Sequence, residues 1–135
     1  MGRRRGADNP FNKVVDEIRH LMVDRVWSSS ISDDMDMYYV KVAGYSPMER
    51  LEEQNARQVD QAELLVKELL EAGPSAAEAV ARGMRMQGTW REKLLPYVEQ
   101  HRGLPVVREA LELVAKRQRD PLAGPARIVL DKARR

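Results

Sequence analysis

Two clusters of ligand-type side chains are the places where this chain could do chemistry. Asp16, His20 and Asp24 recur every four residues. On a helix they share one face and could hold a metal through one nitrogen and two carboxylates. That face lies partly opposite the apolar stripe of the same segment, so it reads as a solvated side. Asp33, Asp34 and Asp36 offer hard oxygen ligands suited to Mg²⁺ or Ca²⁺. Their surroundings lack the glycine and closing glutamate of a calcium loop, and the dipole of a helix N-terminus accounts for the aspartates without a metal. The expectation is no metal and no cofactor.

The rest of the catalytic inventory is sparse. The chain has two histidines, His20 and His101, and no cysteine, and apart from the Asp16-His20-Asp24 spacing neither histidine stands in a ligand or nucleophile motif. Without cysteine there is no thiolate nucleophile, disulfide framework or cysteine-ligated zinc. A glycine-rich phosphate loop and a G-x-S-x-G motif are also missing from the sequence. No residue is assigned a catalytic role, and the chain reads as a non-enzyme.

Binding chemistry is better represented. Between Ser75 and Gln100, a short helix to Arg82, a turn from Gly83 to Gly88 and a second helix from Thr89 have helix-turn-helix organisation. Ala79 and Gly83 fall where that motif wants a small residue and a turn glycine. Arg82, Arg85, Arg91 and Lys93 add positive charge, and Trp90 and Arg91 would open a recognition helix. With Arg3, Arg4 and Arg5 they form the candidate DNA-binding set. Phosphate contacts supply affinity, and a helix end in the groove reads base edges. The turn is a few residues long for the motif, Glu92 stands at a position usually apolar, and Pro96 disturbs the second helix.

The stretch Arg119-Asp120-Pro121-Leu122-Ala123-Gly124-Pro125-Ala126-Arg127-Ile128-Val129-Leu130-Asp131-Lys132-Ala133 resembles the end of some phage small terminase subunits. The resemblance rests on the Asp-Pro, Ala-Arg and Leu-Asp pattern and covers about fifteen residues. It implies an oligomer that recognises viral DNA. The amino-terminal half departs from that family, which usually places its DNA-binding helices first.

A second class of function needs no nucleic acid. Trp27, Tyr38 and Tyr39 are candidate anchors for a protein partner such as the transcription machinery, which the chain would modulate without touching DNA. The segment from Pro47 to Glu71 carries Met48, Leu51, Val59, Ala62, Leu65, Val66 and Leu69 at near-heptad spacing, interrupted by Asn55. Such a stripe suits its own core, a partner helix or a homo-oligomer.

The elements that must position these residues are helices. Aromatics make up 5% and apolar residues 43% of the 135 residues. Aliphatic side chains and methionine must therefore fill the core, which suits helix packing better than strands. Residues 1–8 read as a flexible basic arm, and 9–135 as one all-α domain of about five to seven helices. Asn9-Pro10 starts the first helix, which ends near Trp27 before Ser28-Ser29-Ser30. Residues 33–42 fit a helix capped by Ser32, although Tyr38 to Val42 also suits a short strand; helix is preferred. Ser46-Pro47-Met48-Glu49 opens a long helix that Gly73-Pro74 stops. Further capping boxes at Ser75–Glu78 and Thr89–Glu92 open two more helices, the second kinked or restarted at Pro96 and finished at Gly103. One helix from Pro105 to about Arg119 and a short one from Gly124-Pro125 complete the domain.

Net charge is +2 but uneven: Glu49 to Glu71 is acidic on balance, whereas Arg82 to Lys93 and Arg102 to Arg135 are basic. Arginine outnumbers lysine. That bias suits bidentate anion binding and equally follows from a GC-rich genome. No apolar run approaches the roughly 20 residues of a membrane span. The arginine-rich start lacks the apolar stretch of a secretory signal. The expectation is a cytoplasmic protein with no membrane contact.

Overall fold

The computed structural model describes residues 9–23 and 32–133. The basic arm 1–8 with Arg3, Arg4 and Arg5, together with Asp24, Trp27 and the Ser28–Ser30 break, lies outside the described residues. Within them every regular element is helical, as the sequence predicts.

Helix α1 spans Asn12–Val23. Asn9 prepares it: its side-chain oxygen accepts from the Phe11 N–H at 2.9 Å and its carbonyl from the Asn12 N–H at 3.0 Å. Val15, Ile18 and Leu21 fall three residues apart on one face and are buried. Helix α2 spans Asp33–Ala43, so the helix/strand ambiguity resolves to helix. Its ends explain why. Ser32 Oγ accepts from the Met35 N–H, three aspartates occupy the first turn, and Gly44 closes the helix in the left-handed region at φ 76°.

Helix α3, Pro47–Ala72, is 26 residues long, about 39 Å. Ser46 caps it by accepting from the Glu49 N–H at 3.1 Å. Asp36 ties this start to α2, since its Oδ1 accepts from Ser46 Oγ at 2.6 Å and from the Met48 N–H at 3.0 Å. Gly73, at φ 62°, stops the helix, and a 3-10 turn over Gly73–Ala76 leads into α4, Ala77–Met84. Both later capping boxes fail to form as expected. Ser75 lies inside the 3-10 turn, where its carbonyl accepts from Asn9 Nδ2, so α4 starts at Ala77 without a side-chain cap. Thr89–Leu94 is itself a 3-10 helix without a side-chain cap. Pro96 then acts as a helix starter rather than a kink, in the first turn of α5, Leu95–Gln100.

Helices α6, Pro105–Lys116, and α7, Ala123–Ala133, complete the order. Helix α6 stops three residues earlier than the expected Arg119, because Arg117 is extended at ψ 107°. The core centres on α4, whose Ala77, Ala79, Val80, Ala81, Gly83 and Met84 are all buried. Helices α1 and α6 pack on it, α7 packs on α6, and the C-terminal half of α3 closes the core against α1 through Ala62, Val66 and Leu69. Gly83 is the point of closest approach: a Cβ there would stand 2.7 Å from Val15 Cγ1 and 3.1 Å from Leu94 Cδ1. None of the core residues comes from positions 32–61. Helix α2 and the first half of α3 therefore form an arm standing off the core.

Candidate functional site

The helix-turn-helix expectation fails at its two central residues. Arg91 is 0% exposed. Its Nε donates to the Gly88 carbonyl and Nη1 to the Met84 carbonyl, each at 2.8 Å, and its two terminal nitrogens grip both oxygens of Asp120. The Asp120 carboxyl also accepts from the Leu122 N–H at 2.9 Å, and Arg117 lies 3.6 Å away. Burial alone would raise the Asp120 pKa. Hydrogen bonds from Arg91 and Leu122, with the charges of Arg91 and Arg117, outweigh it and hold the carboxyl below its ordinary value. Trp90 is buried as well, its Nε1 donating to the Gln87 carbonyl at 2.7 Å. A guanidinium with every edge occupied and an indole folded inward cannot reach a phosphate or a base.

The other three cations of the region keep some exposure. Arg82 pairs with Asp16 at 2.7 Å and donates to the Asn12 side chain at 3.0 Å, binding α4 to α1. Asp16, a candidate metal ligand, is thus taken up by an arginine. Lys93 reaches Glu63 on α3 at 3.3 Å. Arg85 is half-buried, and its carbonyl accepts from Arg117 at 2.8 Å. The turn also borders a cavity of about 360 Å³ lined by Gln87, Gly88, Arg91, Arg117, Arg119 and Asp120. Arg91 and Arg117 there are engaged by backbone carbonyls and Asp120. Among the described residues no group of three or more histidines or carboxylates is placed to hold a metal ion. No described helix is long and apolar enough to cross a membrane.

The tyrosines divide sharply. Tyr97 is buried beneath α3, its hydroxyl donating to the Gly73 carbonyl at 2.6 Å and its ring 4.4 Å from that of His101. Burial pushes its pKa up to about 12. Tyr38 and Tyr39, by contrast, are 60% and 37% exposed. They stand edge to face at 5.6 Å, and Tyr39 leans on Tyr45, whose ring Arg50 covers at 3.8 Å.

These tyrosines belong to a wider surface that sequence reasoning only partly found. Ten large hydrophobic residues are exposed among those described, and six of them (Met35, Met37, Tyr38, Tyr39, Val40 and Val42) lie on the single helix α2. No residue of α2 is buried. The helical spacing was legible, but an apolar face with nothing on it looks, in sequence, like one facing the core. The heptad-like stripe of α3 divides in the same way. Ala62, Val66 and Leu69 enter the core, whereas Met48, Leu51 and Val59 stay half-buried outside it. Comparison of the chain with protein-family models, with curated proteins and with solved structures gives no match.

Proposed function

We propose that the protein acts without catalysis, as a regulatory interaction factor that docks on a partner protein through α2 and does so without contacting DNA. The observation that carries this is the concentration of exposed apolar side chains on one helix that contributes nothing to the core. Contiguous apolar surface of this kind on a small domain marks an interaction site, and exposed tyrosines are typical anchors. The DNA-binding alternative keeps only Arg82, Arg85 and Lys93 of its described residues, two of them in ion pairs with Asp16 and Glu63. The terminase-like C-terminal stretch supports the fold directly, since Asp120 holds Arg91 and α7 packs on α6.

The test is position-specific photo-cross-linking in the protein's native cells. A photoreactive side chain at Tyr38 should yield one adduct of defined mass, and the same group at Leu64, equally exposed but on the body, should not. Equal labelling from both positions would sink the docking role. Steeply salt-dependent binding to a random DNA duplex, lost in Arg85→Glu, would restore the nucleic-acid reading in its place.

A further inference from the structure

Resting on the docking role of α2, we infer that the occupant of its exposed face is a basic amphipathic helix of another protein. The shape of the face comes first. Met35, Tyr38, Tyr39 and Val42 follow the i, i+3, i+4, i+7 pattern of one helical face. Asp36 points from the side of α2 that meets α3, where it accepts from Ser46 and Met48. Met35, Tyr38 and Val42 therefore look away from the protein's own fold, and they are 50%, 60% and 68% exposed. The stripe is two turns long, the footprint of a second helix laid along it.

Charge selects which helix. Residues 32–61 hold seven Asp and Glu against three Lys and Arg, a net of −4, so the remainder of a chain whose total is +2 carries +6. Among the described residues, none of the ion pairs involves Asp33, Asp34, Glu49, Glu52, Glu53 or Asp60. The arm therefore carries, together with its apolar stripe, carboxylates that form no ion pair among the described residues. A second copy docked arm to arm would set −4 against −4, and a nucleic acid would meet the same repulsion. A helix with an apolar stripe and lysine or arginine flanks satisfies both features.

The probe is a labelled amphipathic peptide of leucine and lysine, about three heptads long, titrated with the full chain by fluorescence anisotropy. A leucine and glutamate peptide of the same pattern is the comparison. The Leu/Lys peptide should bind, more weakly as salt rises, and the Leu/Glu peptide should not. Tyr38→Ser and Val42→Ser should each weaken binding by about tenfold or more. Glu49→Lys with Glu52→Lys should weaken it without touching the apolar stripe, and Leu64→Ser should leave it unchanged. These side chains are exposed, so each variant should keep the wild-type circular dichroism spectrum.

Equal binding of the two peptides, no binding of either, or full binding by Tyr38→Ser would overturn the inference. So would sedimentation showing that the chain self-associates and that Tyr38→Ser abolishes it, because the occupant would then be a second copy. If Tyr38 cross-links to a partner in cells while the Leu/Lys peptide fails to bind, docking stands and the basic helix falls. If neither occurs, both fall.

Discussion

The guanidinium of Arg91 and the carboxylate of Asp120, 29 positions apart, form a two-pronged ion pair whose side chains are 1% and 4% exposed. The pair joins the 3-10 helix Thr89–Leu94 to the segment just before α7, and the Asp120 carboxylate also receives the Leu122 N–H. Removing one partner leaves the other charge buried, which is far costlier than never having had the pair. Asp120→Ala should therefore lower unfolding stability by about 3–5 kcal/mol, read from urea midpoints. Asp120→Asn should cost less, since it keeps an acceptor for Leu122. A double-mutant cycle with Arg91→Met should show coupling of about 0.5–3 kcal/mol. Additive single effects would mean that the two side chains do not act as a pair.

The same carboxylate sets an acid limit. Its pKa is lower in the folded chain than in the unfolded one. The stability it contributes is present above the unfolded value, about 3.9, and is lost as pH falls through the folded value. Urea midpoints should fall from about pH 5 downward, and Asp120→Asn should flatten that decline. An unchanged pH slope in the variant would assign acid unfolding to other groups.

Tyr97 imposes the opposite limit. Its pKa rises from 10.0 to about 12 through burial, so the unfolded chain loses this proton first. The stability from the buried phenol is intact below pH 10 and declines as pH rises toward 12. Tyr97→Phe should remove that part of the alkaline decline. At neutral pH it should cost about 1 kcal/mol for the lost bond to the Gly73 carbonyl.

Gly83 tests the tightness of the α1–α4 contact. A methyl group there would sit 2.7 Å from Val15 Cγ1. Gly83→Ala should destabilise by about 1–3 kcal/mol from overpacking, despite a gain of up to about 1 kcal/mol in helix propensity. Val15→Ala should cost less in the Gly83→Ala background than alone, because it clears the clash. Identical costs in both backgrounds would show that the helices shift apart freely.

Asp36 tests the attachment of the arm. It is the side chain that accepts from both Ser46 and Met48 at the start of α3. Asp36→Ala should raise amide exchange across α2 by about tenfold, corresponding to the roughly 1.4 kcal/mol expected of a lost charged cap. Exchange in α4 and α6 should stay as it was, because none of the core residues lies in positions 32–61. Faster exchange throughout would mean that the arm folds as part of the core.

Local chemistry determined the helices of this protein. Ser32 and Ser46 as caps, Pro47 in a first turn, and Gly44 and Gly73 beyond helix ends act through bonds spanning a few residues, so their effects could be read along the chain. The same local signals misled at Ser75 and Thr89, where capping-box sequences sit in 3-10 turns dictated by neighbouring packing. What no local signal carries is which face of a helix finds a partner. Arg91 reads as a surface cation until Asp120 is brought beside it, and the exposure of the whole apolar face of α2, beyond Tyr38 and Tyr39, shows only when α2 is seen to stand outside the core. Burial is a property of residues distant in sequence, so only the tertiary structure could separate the arginine that holds the fold from the tyrosines left facing outward.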